Sequence, residues 1–102
     1  ENFKQSLAFI SQHKRPTRPF DTNGVYVGEF GLPESEATPK AAFERTAELL
    51  KVAQEFGCPY AVYWQLYCNE KTTASPKSEN GYKGFWLVRP DGTRSPICKL
   101  FQ

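Results

Sequence analysis

The apolar residues near the start of the chain have helical spacing. Phe3, Leu7 and Ile10 follow one another at steps of four and three, with mostly polar residues between them. One face of a helix is therefore expected to be apolar. Pro16 and Pro19 end this predicted helix, because proline lacks the backbone N–H that a helix interior needs.

Two later segments have the composition of β-strands. Residues 25–30 (VYVGEF) are rich in β-branched and aromatic residues, follow Asn23-Gly24 and stop at Gly31-Leu32-Pro33. Residues 60–67 (YAVYWQLY) are almost continuously apolar. That pattern is typical of a strand covered on both faces, and it favours a parallel sheet.

A second helix is predicted between the two strands. Thr38 suits the N-cap, and Pro39 suits the first helical position, where its missing N–H costs nothing. An apolar stripe continues to Phe56, and Gly57 suits the left-handed C-cap position.

The last third of the chain is predicted to be mostly loop. A polar stretch runs from Asn69 to Lys83, and a turn at residues 89–92 precedes a short helix that begins at Ser95-Pro96. The order helix, strand, helix, strand, loop, helix indicates an α/β fold. Because two strands and three helices cannot cover a sheet, we expect a fragment of a larger fold or a chain that pairs with another.

Charge and cysteine content exclude several classes of function. The formal net charge of +2 is spread along the chain, so the expected partner is neutral or small, not nucleic acid or a membrane. No apolar run approaches the length of a membrane span. The three cysteines have no metal-ligand spacing, and Cys58 and Cys68 would lie too far apart on one strand to form a disulfide. No metal is therefore expected.

Three motifs, taken in order, resemble the end of a cellulase-like glycoside hydrolase. They are residues 25–31 (VYVGEFG), Tyr63-Trp64-Gln65, and residues 85–93 (FWLVRPDGT). This resemblance to retaining (β/α)8-barrel enzymes implies that residues 1–102 are the C-terminal portion of a TIM-barrel catalytic domain, about strands seven and eight with their flanking helices. Since a full barrel takes roughly 250 residues, the chain would supply about its last third.

The resemblance implies that Glu29 is the catalytic nucleophile and that Trp64 forms the aromatic floor of the sugar site. Glu29 lies near the carboxyl end of its predicted strand, where barrel enzymes place their chemistry. The alternatives are a solvated or salt-bridged glutamate and a tryptophan that only packs in a core. Trp86 is expected to be such a core residue.

Asn69 and Glu70 follow the second predicted strand. In the family, an Asn-Glu pair on the fourth strand carries the general acid. Here the pair follows the strand that would be the eighth, so the resemblance does not imply that role for Glu70. We predict that they either contact the substrate or fix the loop. The acid/base residue is expected outside this chain, which alone is expected to be inactive. Glu34 and Glu36 are predicted to stabilise the second helix, because their negative charges precede its positive N-terminal end.

The leading hypothesis is part of a retaining glycosidase that cleaves β-linked bonds in a glucan, mannan or related glycan without a cofactor. Its partners would be the oligo- or polysaccharide substrate and the rest of the barrel, from the same parent chain or another. The alternative is a noncatalytic carbohydrate-binding or structural barrel segment, since barrels host many functions. The resemblance is compatible with secretion, but the sequence leaves the localisation open.

Overall fold

The computed structural model describes residues 2–13, 25–72 and 81–102. Three predictions concern residues outside these ranges: the proline end of the first helix, the Asn23-Gly24 turn, and the centre of the loop between Asn69 and Lys83. The described elements are α1 (Asn2–His13), β1 (Val27–Phe30), α2 (Pro39–Phe56), β2 (Ala61–Tyr63) and a 3-10 helix (Pro96–Phe101).

The two strands form a parallel sheet. Val27 pairs with Ala61 and Phe30 pairs with Tyr63. The predicted order of elements and the parallel pairing are confirmed, and the described residues form a small mixed helix and strand domain. Since parallel neighbours have their carboxyl ends at one edge of the sheet, the residues that follow β1 and β2 lie at the same edge.

The second strand is shorter than the sequence predicted. Instead of continuing to Tyr67, β2 ends at Tyr63, and the peptide bond between Trp64 and Gln65 is cis. The carbonyl oxygens of Gln65 and Leu66 accept hydrogen bonds from residues 87 and 88, which return from the C-terminal part of the chain. The backbone carbonyls of Gln65 and Leu66 are therefore bonded to this returning segment, whereas Trp64 still donates its N–H to Phe30 O in β1.

The caps predicted for α2 are confirmed. Thr38 Oγ1 accepts a hydrogen bond from the Ala41 N–H at 3.1 Å. At the other end, Gly57 has a φ of 87° and donates to Gln54 O, while the Cys58 N–H bonds to Ala53 O. These bonds satisfy helix-terminal groups that would otherwise lack partners.

The core lies between α2 and the 3-10 helix. Ala42 and Ile97 are fully buried, and the core cluster also contains Ala37. Tyr63 at the end of β2 and Leu87 pack against it. Trp86 is 2% exposed, so the prediction that it is a core residue is confirmed.

The opposite side of the sheet is apolar and open among the described residues. Tyr26, Tyr60 and Val62 are 54%, 54% and 49% exposed, and the two tyrosine rings are in contact, with centroids 4.7 Å apart and planes tilted by 33°. Each strand has one neighbour within the described part of the chain. The two-stranded sheet is therefore compatible with a piece of a larger sheet.

The three cysteines are free thiols that are neither fully buried nor fully exposed. None of the helices in the described part of the chain is both long and apolar enough to cross a membrane.

Gly31 allows the ends of the two strands to approach each other. A Cβ atom at this position would clash with the carbonyl oxygen of Trp64 and lie 3.0 Å from the Phe85 ring. Because one of these neighbours is backbone, it cannot move away as a side chain can. At Gly28, in contrast, the nearest atom to an added Cβ is a Tyr26 ring carbon at 3.4 Å, an ordinary contact.

We expect Gly31→Ala to destabilise the protein by about 3 kcal/mol, because the added methyl group forces the ends of β1 and β2 apart. The matched variant Gly28→Ala should change the free energy of unfolding by less than about 1 kcal/mol. Urea denaturation of both variants measures this difference. Equal losses would contradict the close approach at Gly31.

Candidate active site

Glu29 lies at the carboxyl end of β1, at the edge of the sheet shared with Trp64. Its side chain is exposed. The next residue, Phe30, accepts a backbone hydrogen bond from the Trp64 N–H at 2.7 Å. Two residues that lie 35 positions apart in the sequence are thus brought to the same edge by parallel pairing.

A register shift accounts for the exposure of Glu29. Between the two paired positions, β1 advances three residues while β2 advances two, so β1 contains one extra residue. Phe30 is thereby placed against Tyr63, with ring centroids 5.4 Å apart and the planes nearly perpendicular. Gly28 and Glu29 stay exposed. No local pattern of residues predicts this shift, because it depends on how two separate segments align.

Trp64 is held by a carboxylate from the loop that follows it. Its indole Nε1–H donates to Glu70 Oε1 at 2.8 Å, and Lys83 Nζ donates to Glu70 Oε2 at 2.9 Å. Trp64 and Glu70 are both partly exposed. Both oxygens of Glu70 therefore already accept a hydrogen bond within the chain.

Asn69 also forms a bond within its own loop. The side-chain amide of Gln65 donates to Asn69 Oδ1 at 3.0 Å, at the protein surface. For both Asn69 and Glu70, these contacts favour the loop-fixing role among the two that were predicted. Contacts with a substrate stay a prediction.

The two hydrogen bonds that Glu70 accepts make its carboxyl group more acidic. The hydrogen bond from Lys83, followed by the bond from Trp64, lowers the pKa of the Glu70 carboxyl. The same carboxylate raises the pKa of Lys83. Glu70 is thus ionised at neutral pH and poorly suited to donate a proton as a general acid.

Glu34 is the most heavily bonded carboxylate among the described residues. Its oxygens accept hydrogen bonds from the Trp86 indole at 2.9 Å, from the Ser95 hydroxyl at 2.9 Å, and from Arg89 at 3.0 and 3.1 Å. Its side chain is only 11% exposed and that of Arg89 only 19%. The prediction that Glu34 mainly supports the N-terminus of α2 missed these partners, which lie more than 50 residues away along the chain.

The backbone reinforces this contact. The Glu34 N–H donates to Gly84 O at 3.1 Å, and the Ser35 N–H donates to Lys83 O at 3.0 Å. Gly84 has a φ of +89°, and an added Cβ would lie 3.0 Å from the Glu34 nitrogen. A glycine here therefore lets the returning segment lie directly against the loop that follows β1.

A groove of about 450 Å³ lies between the loop after β2 and the C-terminal segment. Its wall includes Tyr67, Tyr82 and Arg89, but neither Glu29 nor Trp64. Within the described ranges, no group of three or more histidine, cysteine, aspartate or glutamate side chains is arranged to hold a metal ion. This groove is therefore separate from the candidate residues Glu29 and Trp64.

Comparisons with protein families, with curated proteins and with solved structures found no match to this chain.

We expect Glu34→Gln to destabilise the protein by about 3 kcal/mol, because it removes the carboxylate charge that pairs with the largely buried guanidinium of Arg89. Urea denaturation measures the change. The control is Glu36→Gln, an exposed carboxylate two residues away, which should change stability by less than about 0.5 kcal/mol. A similar loss in both variants would argue against the role of Glu34.

The lowered pKa of Glu70 predicts how the Trp64 indole responds to acid. The bonds from Trp64 and Lys83 favour the charged carboxylate, so they persist at neutral pH and are lost as the pH falls through a pKa below the ordinary value of 4.5. The Trp64 indole signal in a ¹H–¹⁵N spectrum, assigned with Trp64→Phe, should shift with a midpoint below 4.5. This transition should be missing in Glu70→Gln, and a midpoint at or above the ordinary value would refute the prediction.

Proposed function

We propose that this chain is the C-terminal part of a retaining (β/α)8-barrel glycoside hydrolase, with Glu29 as its nucleophile. The observation that carries the proposal is the position of Glu29, an exposed carboxylate at the carboxyl end of a parallel strand with Trp64 at the end of the neighbouring strand. Barrel enzymes place their catalytic groups at this end of the strands.

The open sheet supports the barrel part of the proposal. A β-α-β unit with parallel strands is the repeating unit of a barrel. The exposed apolar residues on the uncovered face, Tyr26, Tyr60 and Val62, are suited to contact further strands and the side chains that fill a barrel interior. We propose that the rest of the barrel, from the same parent chain or another, covers this face.

In the proposed mechanism, a Glu29 oxygen attacks the anomeric carbon of the sugar while a carboxylic acid outside this chain protonates the departing oxygen. The glycosidic bond breaks and a glycosyl ester forms on Glu29. The carboxylate outside this chain, which has given up its proton, then removes a proton from water. The water attacks the same carbon and releases Glu29. Two inversions leave the sugar with its original configuration. This pathway needs two carboxyl groups about 5 to 5.5 Å apart.

The partners of the described carboxylates are consistent with a general acid outside the chain. Glu34 is bonded to Arg89, Trp86 and Ser95, and Glu70 is bonded to Lys83 and Trp64. Glu29 has no side-chain hydrogen bond or ion pair to another described residue, so its oxygens are accessible for attack.

Trp64 would form part of the sugar site. Its indole presents a flat apolar face, which suits the C–H surface of a pyranose ring. The substrate class that we propose is a β-linked glucan, mannan or related glycan, and it rests on the sequence resemblance to cellulase-like enzymes.

We expect 2-deoxy-2-fluoro glycosides to label Glu29 covalently in the intact protein that contains this chain, because fluorine slows hydrolysis of the glycosyl ester. Digestion and mass spectrometry locate the label. Glu29→Gln should not be labelled and should lower kcat by at least about a thousandfold. Glu36→Gln should still be labelled and should keep the kcat of the unmodified protein. A label on another carboxylate would refute the assignment of Glu29, and glycan binding without any label would favour a noncatalytic carbohydrate-binding segment.

A further inference from the structure

The ring of Trp64 is held by two successive polar contacts. Glu70 accepts the indole N–H at 2.8 Å through one carboxylate oxygen, and it accepts the ammonium of Lys83 at 2.9 Å through the other. Because each oxygen has its own donor, the carboxylate is fixed from both sides. One edge of the indole is therefore tied to a fixed point.

A short antiparallel pairing sets the position of Glu70 itself. The Lys83 N–H donates to Glu70 O at 2.9 Å, and the Thr72 N–H donates to Gly81 O at 2.7 Å. Lys71 and Tyr82 form the bridge between these bonds, with the Lys71 ammonium 3.8 Å from the centre of the Tyr82 ring. The carboxylate thus lies on paired backbone and not on an unsupported loop.

The ion pair between Lys83 and Glu70 is expected to add little to the stability of the fold. The side chains of Lys83 and Glu70 are 43% and 31% exposed, and ion pairs in contact with water contribute little to folding. The effect that these contacts do have is on orientation, because an indole held at its N–H cannot turn its face freely. A ring already fixed in the orientation that a ligand needs loses less freedom when the ligand binds.

We propose that Glu70, held by Lys83, is a positioning residue that fixes the ring plane of Trp64 for sugar binding. This inference rests on the proposed function, in which Trp64 is the floor of the sugar site. Glu70 acts on the sugar through the indole and does not bind a sugar hydroxyl itself. Lys83 is part of the same device, although it lies 19 positions from Trp64 in the sequence.

A double-mutant cycle tests the proposal in the intact protein that contains this chain. All variants carry Glu29→Gln to slow turnover, and the affinity for cello- and manno-oligosaccharides is measured by calorimetry. We expect Glu70→Ala to weaken binding about tenfold or more, because the ring is no longer held in place. In a Trp64→Phe background, which lacks the indole N–H, Glu70→Ala should change the affinity less than about twofold.

A conservative variant separates positioning from a general effect on the fold. Glu70→Gln keeps an oxygen that can accept the indole N–H, so it should recover most of the affinity that Glu70→Ala loses. The Trp64 indole signal in a ¹H–¹⁵N spectrum should move strongly in Glu70→Ala and less in Glu70→Gln. This signal reports the contact between Glu70 and Trp64 whether or not a sugar binds.

Three outcomes would overturn the inference. An equal loss of affinity from Glu70→Ala in both backgrounds would mean that Glu70 contacts the sugar directly or supports the fold. An unchanged affinity in Glu70→Ala would mean that the orientation of Trp64 does not limit binding. If the parent with Glu70 and Trp64 intact binds none of the oligosaccharides while the indole signal still depends on Glu70, the proposed function fails and the contact is structural.

Discussion

The rest of the structure depends on the hydrogen bonds that the carboxylate of Glu34 accepts from the C-terminal segment. This carboxylate is almost buried, and it joins the loop after β1 to Trp86, Arg89 and Ser95 in the C-terminal segment. A buried charge is costly unless its hydrogen-bonding capacity is satisfied, and here four donors satisfy it. Two parts of the chain more than 50 residues apart are therefore held together by one side chain.

This contact also determines the surroundings of the candidate active site. The segment that Glu34 holds also donates backbone hydrogen bonds to Gln65 and Leu66, directly after Trp64. At its start, the same segment contributes Lys83, which binds Glu70. The C-terminal segment thus connects the loops that follow both strands, and so it fixes the edge of the sheet where Glu29 and Trp64 lie.

The two bonded glutamates illustrate how burial separates stability from positioning. Glu34 is largely shielded from water, so loss of its charge removes the partner of a largely buried ion pair and is expected to destabilise the fold. Glu70 is partly exposed, so its ion pair is expected to add little to folding, yet the same carboxylate accepts the indole N–H of Trp64. Glu29 has neither kind of contact among the described residues, so its exposed oxygens are accessible to a ligand.

The sequence by itself determined the features that depend on neighbouring residues. Thr38, Pro39 and Gly57 set the ends of α2, because caps and turns are formed by groups a few positions apart. The parallel pairing also followed from the apolar composition of the second strand. Only the tertiary structure decided the register shift beside Glu29, the early end of β2 and the partners of Glu34 and Glu70. Each of these depends on which backbone or charged group from a distant part of the chain lies beside a given residue. Patterns among neighbouring residues do not identify that partner.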